Sequence, residues 1–293
     1  MIGTALNTKG GISTVVYYYL NSKFNDDIVI KYIASHCDGN ILKKFLKAAS
    51  GYFYFLYYLM IYHPKIIHIH SASRASFYRK SIFVLFSKLV QKKIVFHLHG
   101  AEFLIFYHKE CNIVKKRYIR YILHISDRII VLSEQWKDHI KTISSDLDPI
   151  ILFNTIEIPD KIHKMNDFIP NIIFLGRVGK RKGMNEIIEA GKILHQKKIK
   201  YKFLICGDGD INYYKNICKA NGIANNFSFM GWITNKEKQN LFAYADILVL
   251  PSYNEGMPMS VIEAIAHGIP VIATTVGAIP EIIEDNVNGF LIK

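Results

Sequence analysis

Two carboxylates, Glu255 and Glu263, stand in the stretch EGMPMSVIEAIAHG with seven residues between them. The stretch lies between two apolar runs, ADILVLPS and IPVIATT, so both side chains fall near a core. A carboxylate there is costly unless a donor or a cation meets it. Pro258 and Ser260 suit a helix start, and Gly268 with Pro270 suits its end, which predicts a helix over 258–267. The backbone at its entry, around Met257, Pro258, Met259 and Ser260, then offers the helix's N-terminal amides, all but the proline's, to an anion. Upstream, FLGRVGKRKG places Arg177 and Lys182 just past a strand and at a helix entry. They read as a second anion contact or, taken alone, as solvated loop charges. Carboxylates beside an anion site accept hydrogen bonds from hydroxyls rather than bind the anion. Two such acceptors flanking a phosphate-binding helix end describe a nucleoside–diphosphate–sugar.

The first half carries weaker signals. Gly10 and Gly11 sit at a strand-to-helix turn, where a bare backbone permits close approach of a phosphate or an acceptor, or simply makes the turn. His68, His70, His97 and His99 lie on two strands in HIHS and HLHG, alternate residues facing the same way. No cysteine or carboxylate set completes a metal-ligand count there, so no metal is expected. Arg74, Arg79 and Lys80 in SRASFYRK follow a strand and fit either an acceptor phosphate or a solvated helix face. In Asn40–Pro64, Lys43, Lys44 and Lys47 precede a run of aromatics, the pattern of a helix lying in a membrane interface or of a core helix with solvated lysines. GDGD, Gly207–Asp210, reads as a turn and not as a metal-binding Asp-x-Asp.

These residues need a scaffold. Short β-rich runs alternate with helix-length segments: DIVIKYIAS, PKIIHIHS, KKIVFHLHG, DRIIVLS and PIILFN, then NIIFLG, YKFLICG, NFSFMG, DILVLPS and PVIATT. Near-continuous apolar strands alternating with helices predict parallel sheets covered on both faces, an α/β class. There are two such series, residues 1–153 and 171–293, separated by a polar linker with two prolines, 154–170. The expectation is two Rossmann-like domains facing a cleft, with ligands at the carboxyl ends of the strands. Both chain ends read as clipped. MIGTAL is the stub of a strand, and NGFLIK stops where one has barely begun.

With 293 residues, half of them hydrophobic, disordered and fibrous classes are excluded. The four cysteines show no CxxC spacing and fit a reducing compartment. The longest apolar run, Tyr52–Tyr62, is too short to span a bilayer, so the expectation is a cytoplasmic protein, at most peripheral on a membrane. Residues 1–150 hold 21 Lys+Arg against 10 Asp+Glu, and the rest 16 against 14. A basic first half suggests an anionic partner. No nucleic-acid motif is present, which leaves phospholipid or a phosphorylated substrate.

FLGRVGKRKG, ICGDGD, SFMGWI and PSYNEGMPMSVIEAIAHGIPVIATTVGAIPEII resemble retaining GT-B glycosyltransferases of the family-four, group-one type, over nearly the whole chain. The resemblance implies transfer of a sugar from a nucleotide sugar to a hydroxyl acceptor, with retention and without a metal. It implies that Arg177 and Lys182 hold the donor diphosphate, Glu263 the ribose and Glu255 the transferred sugar. The amides of 257–260 meet phosphate and sugar, and Gly231, between Met230 and Trp232, lies near the base. It places Gly10 and Gly11 on the donor and His99 in an acceptor-orienting role. Ala278 in VGAIPE departs from a usual glycine. The family setting suggests bacterial surface polysaccharide or glycolipid assembly, with a saccharide or lipid-linked acceptor at an anionic membrane. Alternative readings are a sugar-nucleotide 2-epimerase on the same fold and a non-catalytic nucleotide-sugar-binding protein.

Overall fold

The structure is a computed structural model describing residues 1–24, 27–159 and 169–293. The chain forms two compact units, Met1–Thr155 and Ile156–Lys293. Most of the expected linker, residues 160–168, lies outside the described residues.

The first unit holds strands β1 (Ile2–Gly3), β2 (Ile33–Ala34), β3 (Ile66–Ser71), β4 (Lys93–Leu98), β5 (Arg128–Val131) and β6 (Ile150–Ile151). Its helices are α1 (Gly11–Asn21), α2 (Ile41–Tyr62), α3 (Ala75–Leu89), the short α4 (Phe103–Ile105), α5 (Ile113–Ile125) and α6 (Glu134–Ile143). A five-residue π-helical turn, Phe106–Glu110, follows α4. All strands run parallel in the order β2-β1-β3-β4-β5-β6. Ile67, Ile69, Ile94, Phe96 and Leu98 alternate along β3 and β4 into a core with Phe77, Phe83 and Val84 of α3. Each such buried side chain contributes about 1.5–3 kcal/mol. The run DIVIKYIAS yields only a two-residue strand, with Ile28 and Val29 left exposed.

The second unit holds β7 (Asn171–Leu175), β8 (Lys202–Cys206), β9 (Phe227–Gly231), β10 (Ile247–Leu250), β11 (Val271–Thr274) and β12 (Gly289–Ile292). Its helices are α7 (Met184–Gln196), α8 (Ile211–Ala220), α9 (Asn235–Phe242), α10 (Met259–Ala266) and α11 (Ile279–Ile282). The order is β12-β11-β10-β7-β8-β9, again all parallel. NGFLIK, expected to stop short of a strand, instead pairs along four residues with β11. The chain winds outward from β7 to β8 and β9, then returns to β10 on the other side. The order therefore reverses between β7 and β10, and the crevice outside their carboxyl ends is where such sheets bind ligands.

Candidate functional site

The loops at that reversal are FLGRVGKRKG after β7 and PSYNEGMPM after β10. Backbone contacts that only glycine permits hold them together. Gly183 sits at φ +75 at the entry to α7, and a Cβ there would lie 2.0 Å from the Pro251 carbonyl oxygen. Gly207 and Gly209 of GDGD have positive φ, and their would-be Cβ atoms meet the carbonyls of Gly176 and Val178. Val178 donates to the Asp208 carbonyl and Asp210 donates back to Val178, so GDGD braces the first loop through its backbone. Gly277 (φ +59) backs Glu255 and Gly256 as closely, and the Ala278 amide donates to the Gly256 carbonyl at 2.7 Å. Ala278 itself has an ordinary helical backbone and a buried methyl, so it sits there without strain.

The braced loops bring Lys182 onto Glu255, with 2.5 Å between Nζ and Oε1. Both side chains are largely buried. Arg181 donates to the Asn254 carbonyl, and the Tyr253 hydroxyl donates to Glu186, further tying the two loops. Arg177 is exposed, and its side chain makes no hydrogen bond or ion pair among the described residues. α10 begins at Met259 with Pro258 as its cap and no side-chain cap hydrogen bond. Met257, Pro258 and Met259 are buried and Ser260 half-buried at that helix entry. Gly231 ends β9 at φ +73, with its carbonyl accepting from the Gly207 amide.

Glu263 meets a partner that the sequence reading did not contain. Lys238 of α9 lies 2.6 Å from its Oε1, and Glu263 is 2 % exposed. Burial raises the Glu263 carboxyl above its ordinary range, while Lys238 opposes that shift. His267, at the end of α10, bonds the Glu263 carbonyl and the Gln239 side chain of α9. Lys238 and Gln239 were missed because NKEKQ reads as a solvated helix. The one available signal was a buried carboxylate without a cation on its own helix. Each carboxylate of EGMPMSVIEAIAHG thus closes on a lysine.

In the first unit, Gly10 (φ +145) and Gly11 open α1 with nothing within 4 Å of a would-be side chain, so that loop accepts a close approach. His99 follows β4, its Nε2 2.9 Å from His70 Nδ1, and burial lowers it to about 3. The acceptor set Arg74, Arg79 and Lys80 is corrected. Phe77, Lys80, Ser81 and Val84 form the buried stripe of α3, so Lys80 faces inward, fully buried. It donates to the Gly3 carbonyl and the Ser35 hydroxyl, and burial holds it well below the usual lysine range. Arg74 is bound by Glu110 and Glu102, and those hydrogen bonds raise its pKa. Arg79 is half-buried, and burial lowers its pKa. The three do not form one anion-facing group.

Residues 157–293 match the family of glycosyl transferases group 1. The amylovoran biosynthesis glycosyltransferase AmsK of Erwinia amylovora is 28% identical over 60% of this chain and 46% of its own length. The chain spans about a third to a half of the length of the curated relatives it matches. Among solved structures, the lipopolysaccharide outer core galactosyltransferase WaaB aligns with 100% of this chain and 85% of its own, at TM-score 0.63 and 21% identity. Anabaena HepE in complex with UDP and glucose aligns with 90% of this chain and 72% of its own, at TM-score 0.65 and 16% identity. Two parallel six-stranded sheets of this order, with these neighbours, make the fold GT-B, and the second unit matches the group 1 glycosyl transferases.

Proposed function

We propose that this chain is a glycosyltransferase that moves a sugar from a nucleotide-sugar donor to a hydroxyl acceptor with retention. The observation that carries the reading is the Lys182–Glu255 pair at the β7/β10 reversal, beside the start of α10. A buried carboxylate held by a lysine next to a helix N-terminus is poised for a ligand with both anionic and hydroxyl parts. A diphosphate draws on Lys182, Arg177 and the backbone amides of Met259 and Ser260 at the start of α10. Glu255 then accepts from sugar hydroxyls, and Glu263 from the ribose diol, with Lys238 holding its charge. In the second unit Gly231 supplies bare backbone for close approach, and in the first unit Gly10 and Gly11 do the same. Charge growing on the departing diphosphate meets these fixed cations and amides, so the transfer step uses no metal ion. Retention rests on the sequence resemblance. The departing phosphate takes the acceptor proton in a front-face route, with neither carboxylate acting as nucleophile. His99, kept neutral by burial, orients the acceptor hydroxyl.

The UDP and glucose of HepE's structure and the names of AmsK and WaaB support a nucleotide-sugar donor and surface polysaccharide or glycolipid assembly. Replacing Glu255 with Ala, or Lys182 with Ala, is expected to lower turnover by a factor of about 100 or more. The measurement is sugar release and transfer against a nucleotide-sugar panel, with circular dichroism confirming the fold. Near-wild-type rates in either variant would remove the site.

The acceptor reading adds a membrane surface. No helix among the described residues is long and apolar enough to cross a bilayer. α2 nevertheless exposes Ile41, Leu42, Phe45, Leu46, Phe53 and Met60, each more than half exposed, beside Lys43 and Lys44. Such a helix lies on anionic lipid. Sedimentation with anionic vesicles is expected to pull down the chain, and Leu42→Glu with Phe45→Glu to weaken it. Equal binding to neutral vesicles would contradict a charge-led contact.

A further inference from the structure

Four histidines of the first unit share one face of neighbouring strands. His68 and His70 alternate along β3, His97 lies opposite His70 on β4, and His99 follows β4. The opposite face of the same strands supplies the core residues Ile67, Ile69, Ile94, Phe96 and Leu98. The histidine rings are in contact. Centroids are 4.3 Å apart for His68 and His70, 5.4 Å for His68 and His97, and 5.1 Å for His70 and His97. Tyr19 of α1 covers all three edge-on.

The hydrogen bonds within the group leave a remainder. His68 Nε2 and His97 Nδ1 are 3.2 Å apart, and His70 Nδ1 and His99 Nε2 are 2.9 Å apart. His70 Nε2 and His97 Nε2 are buried and have no hydrogen-bond partner among the described residues. The two residues are 0 % and 1 % exposed. An unmet buried nitrogen carries its desolvation penalty uncompensated, which aliphatic side chains would avoid. Two unmet nitrogens in one cluster are explained by a species that takes lone pairs.

One ligand nitrogen from each of His68, His70 and His97 lies within 4.8 Å of the others. In a tetrahedral site with metal–nitrogen bonds near 2.0–2.1 Å, ligands stand about 3.3 Å apart. Ring movements of about an ångström gather the three into that geometry, and His68 then exchanges its Nε2 contact with His97 Nδ1 for the metal, since a neutral imidazole has a single lone pair. Burial lowers all of these rings, His68 to about 4, and the neutral imidazole is the form that ligates. His99 is the outer partner a metal-bound imidazole needs. Its contact with His70 Nδ1 leaves His70 Nε2 as the ligating atom. An all-imidazole set selects Zn²⁺, Co²⁺, Ni²⁺ or Cu²⁺ over Mg²⁺ or Ca²⁺. His68 is only partly buried, which gives the ion an entry side.

We propose that His68, His70 and His97 form a binding site for a divalent transition metal ion, with His99 as its outer-sphere partner. The ion ties β3 to β4 and fixes the ring of His99. The site lies outside the donor machinery of the second unit, and the transfer chemistry does not pass through the ion.

The test uses the full chain, stripped with a chelator and titrated with Co²⁺, whose ligand-field absorption reports nitrogen ligation, followed by competition with Zn²⁺. One Co²⁺ per chain is expected, with a rise in melting temperature on adding Zn²⁺. His70→Gln combined with His97→Gln should abolish both, and a His124→Gln control should keep both. His68→Gln changes only the partly exposed edge, so it tests the site even if the double variant unfolds. It should weaken Co²⁺ binding at least about tenfold with an unchanged melting temperature in chelator. Unchanged affinity in His68→Gln, unchanged spectra in the double variant, or no bound ion in the stripped wild-type chain would overturn the proposal.

Discussion

Glu263 and Lys238 show what a single buried charge demands of its neighbours. Glu263 is 2 % exposed and would be driven to its neutral form without the lysine. Replacing Lys238 with Met leaves a carboxylate in the core, which is expected to cost about 3–5 kcal/mol by denaturant unfolding. The sign of the pH effect follows from the raised carboxyl. An acid whose folded pKa exceeds its unfolded value contributes stability below the unfolded pKa and loses it as pH rises through the folded one. Without Lys238 the folded pKa rises further, so the loss should be larger at pH 8 than at pH 5. Adding Glu263→Gln to Lys238→Met should recover most of it. Equal losses at the two pH values would contradict a charged carboxylate at this position. None of this was legible in NKEKQ, because a lysine on a polar helix looks solvated until the facing element is known. Lys80 is the same lesson reversed. Its charge argued for a surface role, but the structure places it in the buried stripe with Phe77, Ser81 and Val84.

Elements were more legible than side-chain partners. The apolar runs of β3, β4, β7, β8, β10 and β11 predicted strands because residues buried on both faces leave little room for polar ones. DIVIKYIAS failed as a full strand because only Ile33 and Ala34 find a partner strand, β1. GDGD was read as a turn, and its role is more specific: with Gly183 and Gly277 it lets one loop's backbone lie against another's carbonyl. Gly183→Ala puts a methyl into the Pro251 carbonyl at an αL backbone and should both destabilise the second unit and impair donor binding. Gly222→Ala (φ +69, open space) carries only the backbone penalty, about 1–2 kcal/mol, with donor binding kept. Paired melting curves and donor titrations separate the two. Equal behaviour of both variants would mean that contact with Pro251 does not organise the site.

At the scale of the molecule, the doubled βα pattern and the two-sheet fold were readable from the order of runs alone, and the reversal between β7 and β10 shows why the motif residues cluster after those two strands. Donor and acceptor identities were not readable, since a Rossmann-like sheet hosts many ligands and only the loops discriminate. On the proposed function, the second unit's lysine–glutamate pairs receive a nucleotide sugar. Calorimetric titration of the full chain with a panel of UDP-, GDP- and ADP-sugars tests it most directly, run alongside Lys182→Ala and Glu263→Gln. One member of the panel is expected to bind at a single site, with affinity falling at least about tenfold in each variant, a loss of roughly 1.4 kcal/mol. Binding of that sugar nucleotide with the same affinity in both variants, or no binding by any member, would contradict the account.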